Sequence, residues 1–252
     1  MSTDACDQLI TSGPDLGGGV ETAFSGRAGG VSKPPYQGLN LGLGVDDDSA
    51  AVQANRAALA QACGLPLASL SFMRQVHGAD VWYAGAGATE PSAPVDAMFT
   101  DQPGRVLCVL VADCVPVLIA DPVASIVGAA HAGREGMVAG VVPALVAAMA
   151  AAGGSPARMR AVTGPAICGG CYEVPEPMRA RVGAVVPAAT CDTFAGTAGL
   201  DIAAGVRAQL AEAGVGSIAA DGRCTRESDG LYSYRRDGVT GRFAGLVWLT
   251  RR

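Results

Sequence analysis

The sequence lacks both concentrated positive charge and long apolar runs. Its 252 residues carry 18 Lys and Arg against 23 Asp and Glu, a net charge of −5, and no basic run occurs. A surface for nucleic acid or for an anionic membrane needs a concentrated positive field, so neither partner is expected. Asp, Gly, Pro or His interrupts every apolar stretch before the ~18–20 residues that a membrane span requires. No membrane span is therefore predicted.

A secretory signal is also missing, because the first residues, MSTDACDQLI, contain no basic segment followed by a long apolar core. The eight cysteines are then expected to be reduced thiols in the cytoplasm rather than a disulfide framework. Half of the residues are hydrophobic, and a chain of this length can bury one large core. We predict a disordered segment over 1–18 and a single domain over 19–252, in a monomeric protein.

Hydrophobic periodicity predicts an irregular alternation of strands and helices. The predicted strands cover about 20–25, 69–73, 81–83, 106–111, 115–120, 125–130, 159–163, 217–220 and 243–249. The predicted helices cover about 50–63, 136–152, 175–186 and 201–213, the first capped by an Asp-Asp-Ser sequence. This order favours an α+β fold in which mixed β-sheets are flanked by helices in a layered sandwich.

Histidine is scarce, since the chain contains only His77 and His131. The pattern places both in polar turns after apolar runs, while Asp113 and Cys114 lie at the junction of two predicted strands. Neutral imidazole and thiolate are both good zinc ligands, so His77, Cys114 and His131 form a candidate three-ligand zinc site with an open fourth position. The alternative is two hydrogen-bonded structural histidines and a buried cysteine.

Two further patterns suggest ligand binding less specifically. Cys168 and Cys171 have the spacing of half a zinc knuckle or of a redox pair, but the sequence has no second such pair. Arg235, Arg236 and Arg242 fall in one turn near the C-terminus, where guanidinium groups would either clamp a phosphate or face solvent.

The glycine-rich loop from 26 to 44 lets a ligand approach the backbone closely, and Arg27 and Asn40 are its notable polar residues. The alternative is a surface loop with a solvated arginine. Farther along, Gln75 and His77 alternate and should point to the same side of the chain. A predicted helix begins shortly after His131, and its free N–H groups would suit an anion.

Five ordered motifs resemble the YfiH family, also called the laccase-domain, polyphenol oxidase or peptidoglycan-editing-factor family. They are QVHGADV at 75–81, ADCVPVLIADP at 112–122, AHAG at 130–133, GPAI with CYEV at 164–174, and YSYRRDGVTGRFAG at 232–245. The N-terminal FSGRAGGVS, LNLG and NR segments fit as well, so the resemblance covers about residues 20–250.

The resemblance implies a single-domain fold of mixed sheets and a zinc ion held by His77, Cys114 and His131. It also implies phosphorolysis of adenosine, inosine and S-methyl-5′-thioadenosine, with adenosine deamination as a second activity. The older family label is copper-dependent phenol oxidation. A multicopper oxidase needs a histidine-rich trinuclear cluster besides its blue-copper centre, and two histidines cannot supply both. Copper is therefore expected only as an occasional occupant of the zinc site.

Nucleoside chemistry assigns roles to several residues. Phosphorolysis requires groups that hold phosphate, and our candidates are Arg27, Arg236 and the backbone after His131. Asn40 or Gln75 would hydrogen-bond the sugar or base. Deamination would use water activated by the zinc, with Asp113 as a candidate general acid or base; fixing a neighbouring turn is an equal alternative for Asp113.

The sequence departs from the family pattern in two places. Arg134-Glu135 replaces the usual tryptophan and basic residue after the AHAG motif, and Cys168 stands where the family often has glycine. An alternative function is an amidohydrolase that edits peptidoglycan precursors, UDP-MurNAc with a wrong amino acid, by zinc-activated water or a Cys114 thiolate. A non-catalytic metal-binding protein is the third hypothesis.

Overall fold

The computed structural model describes residues 9–88 and 90–251. Within them lie thirteen strands: β1 (Ile10–Ser12), β2 (Val20–Ser25), β3 (Leu70–Phe72), β4 (Val81–Tyr83), β5 (Ala97–Thr100), β6 (Val106–Val111), β7 (Val115–Asp121), β8 (Ile126–Ala132), β9 (Arg160–Thr163), β10 (Thr190–Asp192), β11 (Ala198–Leu200), β12 (Ser217–Ala220) and β13 (Phe243–Leu249). The α-helices of the same residues are α1 (Ser49–Ala62), α2 (Arg134–Ala139), α3 (Val141–Ala151), α4 (Glu176–Val185), α5 (Ile202–Glu212) and α6 (Tyr234–Asp237). The predicted α+β class is confirmed.

Two large sheets and one small ribbon contain these strands. The first sheet has the order β1-β2-β13-β6-β3, the second has β12-β9-β7-β8-β5-β4, and β10 pairs with β11. Three pairs are parallel, namely β3 with β6, β4 with β5 and β9 with β12, and the other pairs are antiparallel. The sheets are therefore mixed, as predicted.

The central strands are buried on both faces because the two sheets form the inner layers of a sandwich. Leu107 of β6 and Leu118 of β7 belong to a core cluster between the sheets. Val117 of β7 instead packs outward against a cluster that includes residues of α2, α3 and α5. On the opposite side, Cys108 of β6 packs in a cluster with residues of α1. Successive residues of a strand point to opposite faces, so continuous apolar strands are needed here.

The predicted helix over 136–152 is wrong in one respect, because the structure divides this segment into α2 and α3. Gly140 lies between them with φ +84°, a left-handed conformation that terminates the first helix.

The prediction of disorder over 1–18 concerns residues 1–8, which lie outside the described part, and residues 9–18. In the latter segment Ile10–Ser12 form β1, and Leu9 and Leu16 are buried.

Among the helices of the described residues, none combines the length and the apolarity needed to cross a bilayer.

Candidate active site and metal centre

The two histidines and Cys114 reach one point from three different segments. Cys114 lies in the short turn between β6 and β7, His131 is the penultimate residue of β8, and His77 lies in the loop after β3. The prediction that His131 follows its strand in a polar turn is wrong, since the residue is paired within the sheet opposite Pro116. His77 and Cys114 do lie in loops, as predicted.

The ligand atoms of this group lie close enough to hold one ion. One ligand atom from each of His77, Cys114 and His131 lies within 4.8 Å of the others. The Sγ atom of Cys114 is 3.8 Å from Nε2 of His77, and the two imidazole rings are 4.7 Å apart between centroids. Two imidazole nitrogens and a thiolate are a donor set typical of a catalytic zinc site with one open position.

A buried carboxylate, Asp96, orients both histidines. Its Oδ1 atom is 2.8 Å from Nδ1 of His131, so that nitrogen donates and Nε2 remains free to bind a metal. The same carboxylate accepts the backbone N–H groups of Val76, His77 and Gly78 at 2.7–3.0 Å. These bonds hold His77 at φ +62°, a conformation that is uncommon for a non-glycine residue.

Electrostatics in this group favour a thiolate. Burial opposes ionisation of Cys114, but the hydrogen bonds and charges of His131 and His77 outweigh it and lower its pKa to about 6. Burial likewise disfavours the charged form of His131, yet Asp96 and Cys114 raise its pKa to about 9. Without a metal, Cys114 and His131 therefore form a thiolate–imidazolium pair at neutral pH, and a cation can replace the imidazolium proton.

Gly133 allows the backbone to pass against these ligands. A Cβ atom at this position would lie 2.6 Å from Cδ2 of His77 and 3.0 Å from Sγ of Cys114. No larger residue fits here unless the ligands move.

A cavity of about 970 Å³ opens beside the group, and His77, Cys114 and His131 are part of its wall. Five arginines line it as well, and the last two come from the same C-terminal turn: Arg56, Arg74, Arg134, Arg235 and Arg242. Apolar and aromatic side chains cover other parts of the wall, among them Phe72, Met73, Ile167, Tyr172 and Tyr234. The wall includes two acidic side chains, Glu90 and Asp113, so the cavity is positive in a protein whose net charge is −5.

Like Arg56, Arg242 is affected by burial. Desolvation lowers its pKa, while the charges of Cys114 and Asp113 act in the opposite direction. One of its terminal nitrogens, Nη1, donates to the carbonyls of Thr240 and Gly241. A bound anion would compensate for the lost hydration of this guanidinium.

Asp113 and Gln75 line the cavity, but their polar atoms are already occupied. The Asp113 carboxylate accepts from Oγ1 of Thr225 and from the backbone N–H of Arg235, each at 2.6 Å. These bonds stabilise a turn in which Asp113 has φ +95°. The Gln75 amide pairs with both backbone groups of Leu110. This geometry favours the turn-fixing alternative for Asp113, and it places Gln75 on the same side as His77, as expected.

Arg27, Asn40 and Arg236 are not part of the cavity wall. Arg27 contacts Asp237 and lies over the ring of Tyr232, and the buried Asn40 binds Asp47 and the backbone of Gly42 and Arg242. Arg236 donates to carbonyls of the 225–231 loop. The structure therefore does not bring these three candidates together with the metal ligands.

Sequence patterns did not identify Asp96, Arg56 or Arg74 as residues of the site. Asp96 carries a signal that could have been used, since a single carboxylate precedes the apolar Ala97-Met98-Phe99 and must find partners if it is buried. Arg56 lies in α1 and Arg74 in the loop after β3, and no local spacing links either of them to the C-terminal turn that carries Arg235 and Arg242.

Comparison with known proteins gives a consistent family assignment. The family model described as multi-copper polyphenol oxidoreductase laccase matches residues 21–250. A purine nucleoside phosphorylase of Streptomyces coelicolor is 55% identical over 236 residues, which are 93% of this chain and 98% of that protein. The purine nucleoside phosphorylase YfiH of Escherichia coli is 39% identical, over 92% of this chain and 94% of its own.

A solved structure has the same fold. The crystal structure of the Bacillus licheniformis hypothetical protein YfiH superposes with a TM-score of 0.84 at 32% identity, and the match covers 92% of this chain and 93% of that one.

Proposed function

The chain belongs to the laccase-like YfiH family, and on that premise we propose that it is a zinc-dependent purine nucleoside phosphorylase. Adenosine, inosine and S-methyl-5′-thioadenosine are the proposed substrates, with inorganic phosphate as the second substrate. The observation that carries the proposal is the cavity itself, in which five arginines and an aromatic wall lie beside the three candidate metal ligands. The names of the relatives support the same reaction.

The residues present fit a zinc ion. Two imidazoles and a thiolate lie within 4.8 Å of one another, and Asp96 fixes one imidazole with its Nε2 free. When bound, zinc supplies Lewis acidity, which polarises a substrate oxygen or activates water.

In phosphorolysis a phosphate oxygen forms a bond to C1′ of the ribose while the bond from C1′ to the purine nitrogen breaks. The phosphate must be held in line with that bond, which guanidinium groups do well because they donate two parallel hydrogen bonds. We assign this role to Arg242 with Arg56 and Arg74. Nε of Arg56 donates to the carbonyl of Leu41, and its guanidinium lies 3.7 Å from the Phe72 ring centroid, so it is held in place.

The purine would occupy the apolar part of the wall. Tyr172 is held on one side by Arg235, whose guanidinium lies 4.8 Å from the ring centroid. A flat base stacks well on such a ring, and the surrounding aliphatic side chains exclude water from the developing positive charge on the ribose.

Arg27 and Arg236 have no part in this proposal, because their guanidinium groups lie outside the cavity and bind other protein groups. Asp113 acts as a positioning residue for the turn that carries Cys114, since both of its oxygens accept hydrogen bonds from the protein.

Adenosine deamination is a second candidate activity, favoured by the position of the three ligands on the cavity wall.

An assay with adenosine separates the two reactions. The zinc-loaded protein is incubated with and without phosphate, and Cys114→Ala serves as the variant without a complete ligand set. Adenine formed only with phosphate supports phosphorolysis, whereas inosine and ammonia formed without phosphate support deamination. If the zinc-loaded protein forms neither product, the nucleoside proposal fails, and a UDP-MurNAc amino-acid substrate becomes the next to test.

A further inference from the structure

A second group of metal-ligating side chains lies apart from the first. Cys168, Cys171, Cys224 and Glu227 each offer one ligand atom, and these four atoms lie within 4.8 Å of one another. None of these residues lines the cavity. The thiols of the three cysteines are free. Cys171 and Cys224 are buried, Cys168 is half-buried, and Glu227 is exposed.

From this arrangement we propose a second, structural metal site for zinc, with the three thiolates and the Glu227 carboxylate as its four ligands. Tetrahedral zinc with Zn–S bonds of ~2.3 Å separates its sulfur ligands by roughly 3.8 Å. The Sγ atom of Cys168 lies 3.8 Å from Oε2 of Glu227, and no two of the four ligand atoms are more than 4.8 Å apart, so the cluster is close to the spacing of a zinc site. Four protein ligands leave no open position, which is typical of a structural rather than a catalytic site.

Two loops contribute these ligands, and backbone contacts already align them. Cys168 and Cys171 lie in the loop after β9, where the N–H of Cys171 donates to the carbonyl of Cys168. Cys224 lies in the loop after β12 and pairs with Ala166 in a β-bridge. The N–H of Cys168 also points at Sγ of Cys224, at 3.4 Å. Backbone N–H groups directed at a cysteine sulfur stabilise the thiolate form that a metal requires.

The loop that presents Glu227 is held from the other side by Arg236. Nη1 of Arg236 donates to the carbonyls of Thr225, Arg226 and Ser228, which bracket the carboxylate in sequence. This accounts for the position of Arg236 outside the cavity. Its guanidinium stabilises the loop that carries Glu227, the fourth ligand.

The second site is coupled to the cavity through residues adjacent to its ligands. Ile167 and Tyr172 flank the Cys168–Cys171 segment and line the cavity. Thr225 follows Cys224 and donates to the carboxylate of Asp113, which precedes Cys114. A metal that joins the two loops would therefore stabilise the wall on which the base is proposed to stack.

Metal content of the full chain tests the proposal without reference to activity. Protein purified with reductant and supplied with zinc is dialysed, and its zinc is measured by mass spectrometry. We expect two zinc ions per chain, one in Cys114→Ser, one in Cys168→Ser, and two in the control Cys63→Ser, whose thiol belongs to neither group. The proposal is overturned if the unmodified protein binds one zinc ion per chain and Cys168→Ser still binds one. It is also overturned if the unmodified protein binds two and Cys168→Ser still binds two.

A second measurement leaves all three cysteines of the proposed second site in place. Cd²⁺ is titrated into metal-free Cys114→Ser protein, and the thiolate-to-metal absorption band is recorded. The exposed Glu227→Gln change should weaken this binding by at least about tenfold, because even changes outside the ligand shell cost roughly 10- to 100-fold in metal affinity. Absence of the band overturns the site, and so does a disulfide among Cys168, Cys171 and Cys224 that persists in reductant. An unchanged affinity in Glu227→Gln overturns the assignment of the fourth ligand.

Discussion

Asp96 Oδ1 lies 2.8 Å from Nδ1 of His131, and the two side chains are 0% and 4% exposed. The same carboxylate accepts three consecutive backbone N–H groups, including that of His77. One buried acid therefore sets the tautomer of one histidine and the backbone conformation of the other.

Replacing Asp96 by Asn should weaken both the metal site and the fold. The amide nitrogen cannot accept from the backbone, so at least one of the N–H groups of Val76, His77 and Gly78 loses its buried partner, and the free energy of unfolding should fall by about 1–3 kcal/mol. Metal affinity should fall roughly 10- to 100-fold. Competition with a chromophoric chelator measures the affinity. Asp101→Asn, at an exposed carboxylate just after β5 that accepts from Tyr83, is the matched control. Equal affinities for the two variants would contradict the role of Asp96.

Gly133→Ala should lower zinc occupancy while the protein remains folded. The added methyl group would meet Cδ2 of His77 at 2.6 Å, and His77 has to move away from Cys114 to accommodate it. Gly18→Ala is the control, because its Cβ would meet no atom within 4 Å. Zinc analysis of both variants, with circular dichroism as a check on folding, measures the effect. Full occupancy in Gly133→Ala would refute this placement of the ligands.

In the metal-free protein, Cys114 should react with iodoacetamide at neutral pH. Because its pKa is about 6, the thiolate dominates at pH 7, and the rate of modification falls as the pH is lowered through 6. Zinc should suppress the reaction because it binds the same sulfur. Burial raises the pKa of Cys63 to about 11, so this thiol should stay unmodified under the same conditions. Peptide mass spectrometry assigns the modified residue. A reaction midpoint near ~8.5, the value of an ordinary thiol, would contradict the thiolate–imidazolium pair.

The fold was largely predictable from the sequence, because the central strands are buried on both faces and therefore form continuous apolar runs. The boundary at Gly140 was not, since glycine inside an apolar helical pattern can be tolerated or can end the helix, and only the tertiary packing decides. The candidate metal ligands were found through the scarcity of histidine and then through a family resemblance. Asp96 was missed because its role depends on loops that meet only in the folded chain, whereas Arg242 was recognised as a possible phosphate clamp but could not be placed beside the metal ligands.

Arg242→Gln should raise the KM for phosphate roughly 10- to 150-fold, which corresponds to the loss of about 1.5–3 kcal/mol for a charged hydrogen bond. The exposed Arg160 of β9 provides the control variant Arg160→Gln, which should leave this constant unchanged. Arg27→Gln should also leave the KM for phosphate unchanged, because the guanidinium of Arg27 lies outside the cavity. The sequence alone suggests Arg27 as a phosphate ligand. If Arg27→Gln raises the KM for phosphate and Arg242→Gln does not, the assignment of the phosphate subsite is wrong.

The product balance of a single turnover shows most directly whether phosphate attacks the nucleoside. Zinc-loaded protein in excess is mixed with inosine and ¹⁸O-labelled phosphate, and the base and sugar products are quantified together by mass spectrometry. We expect hypoxanthine and ribose 1-phosphate in equal amounts, with the label retained in the sugar phosphate. Free ribose in place of ribose 1-phosphate, or no release of base at all, would contradict phosphorolysis.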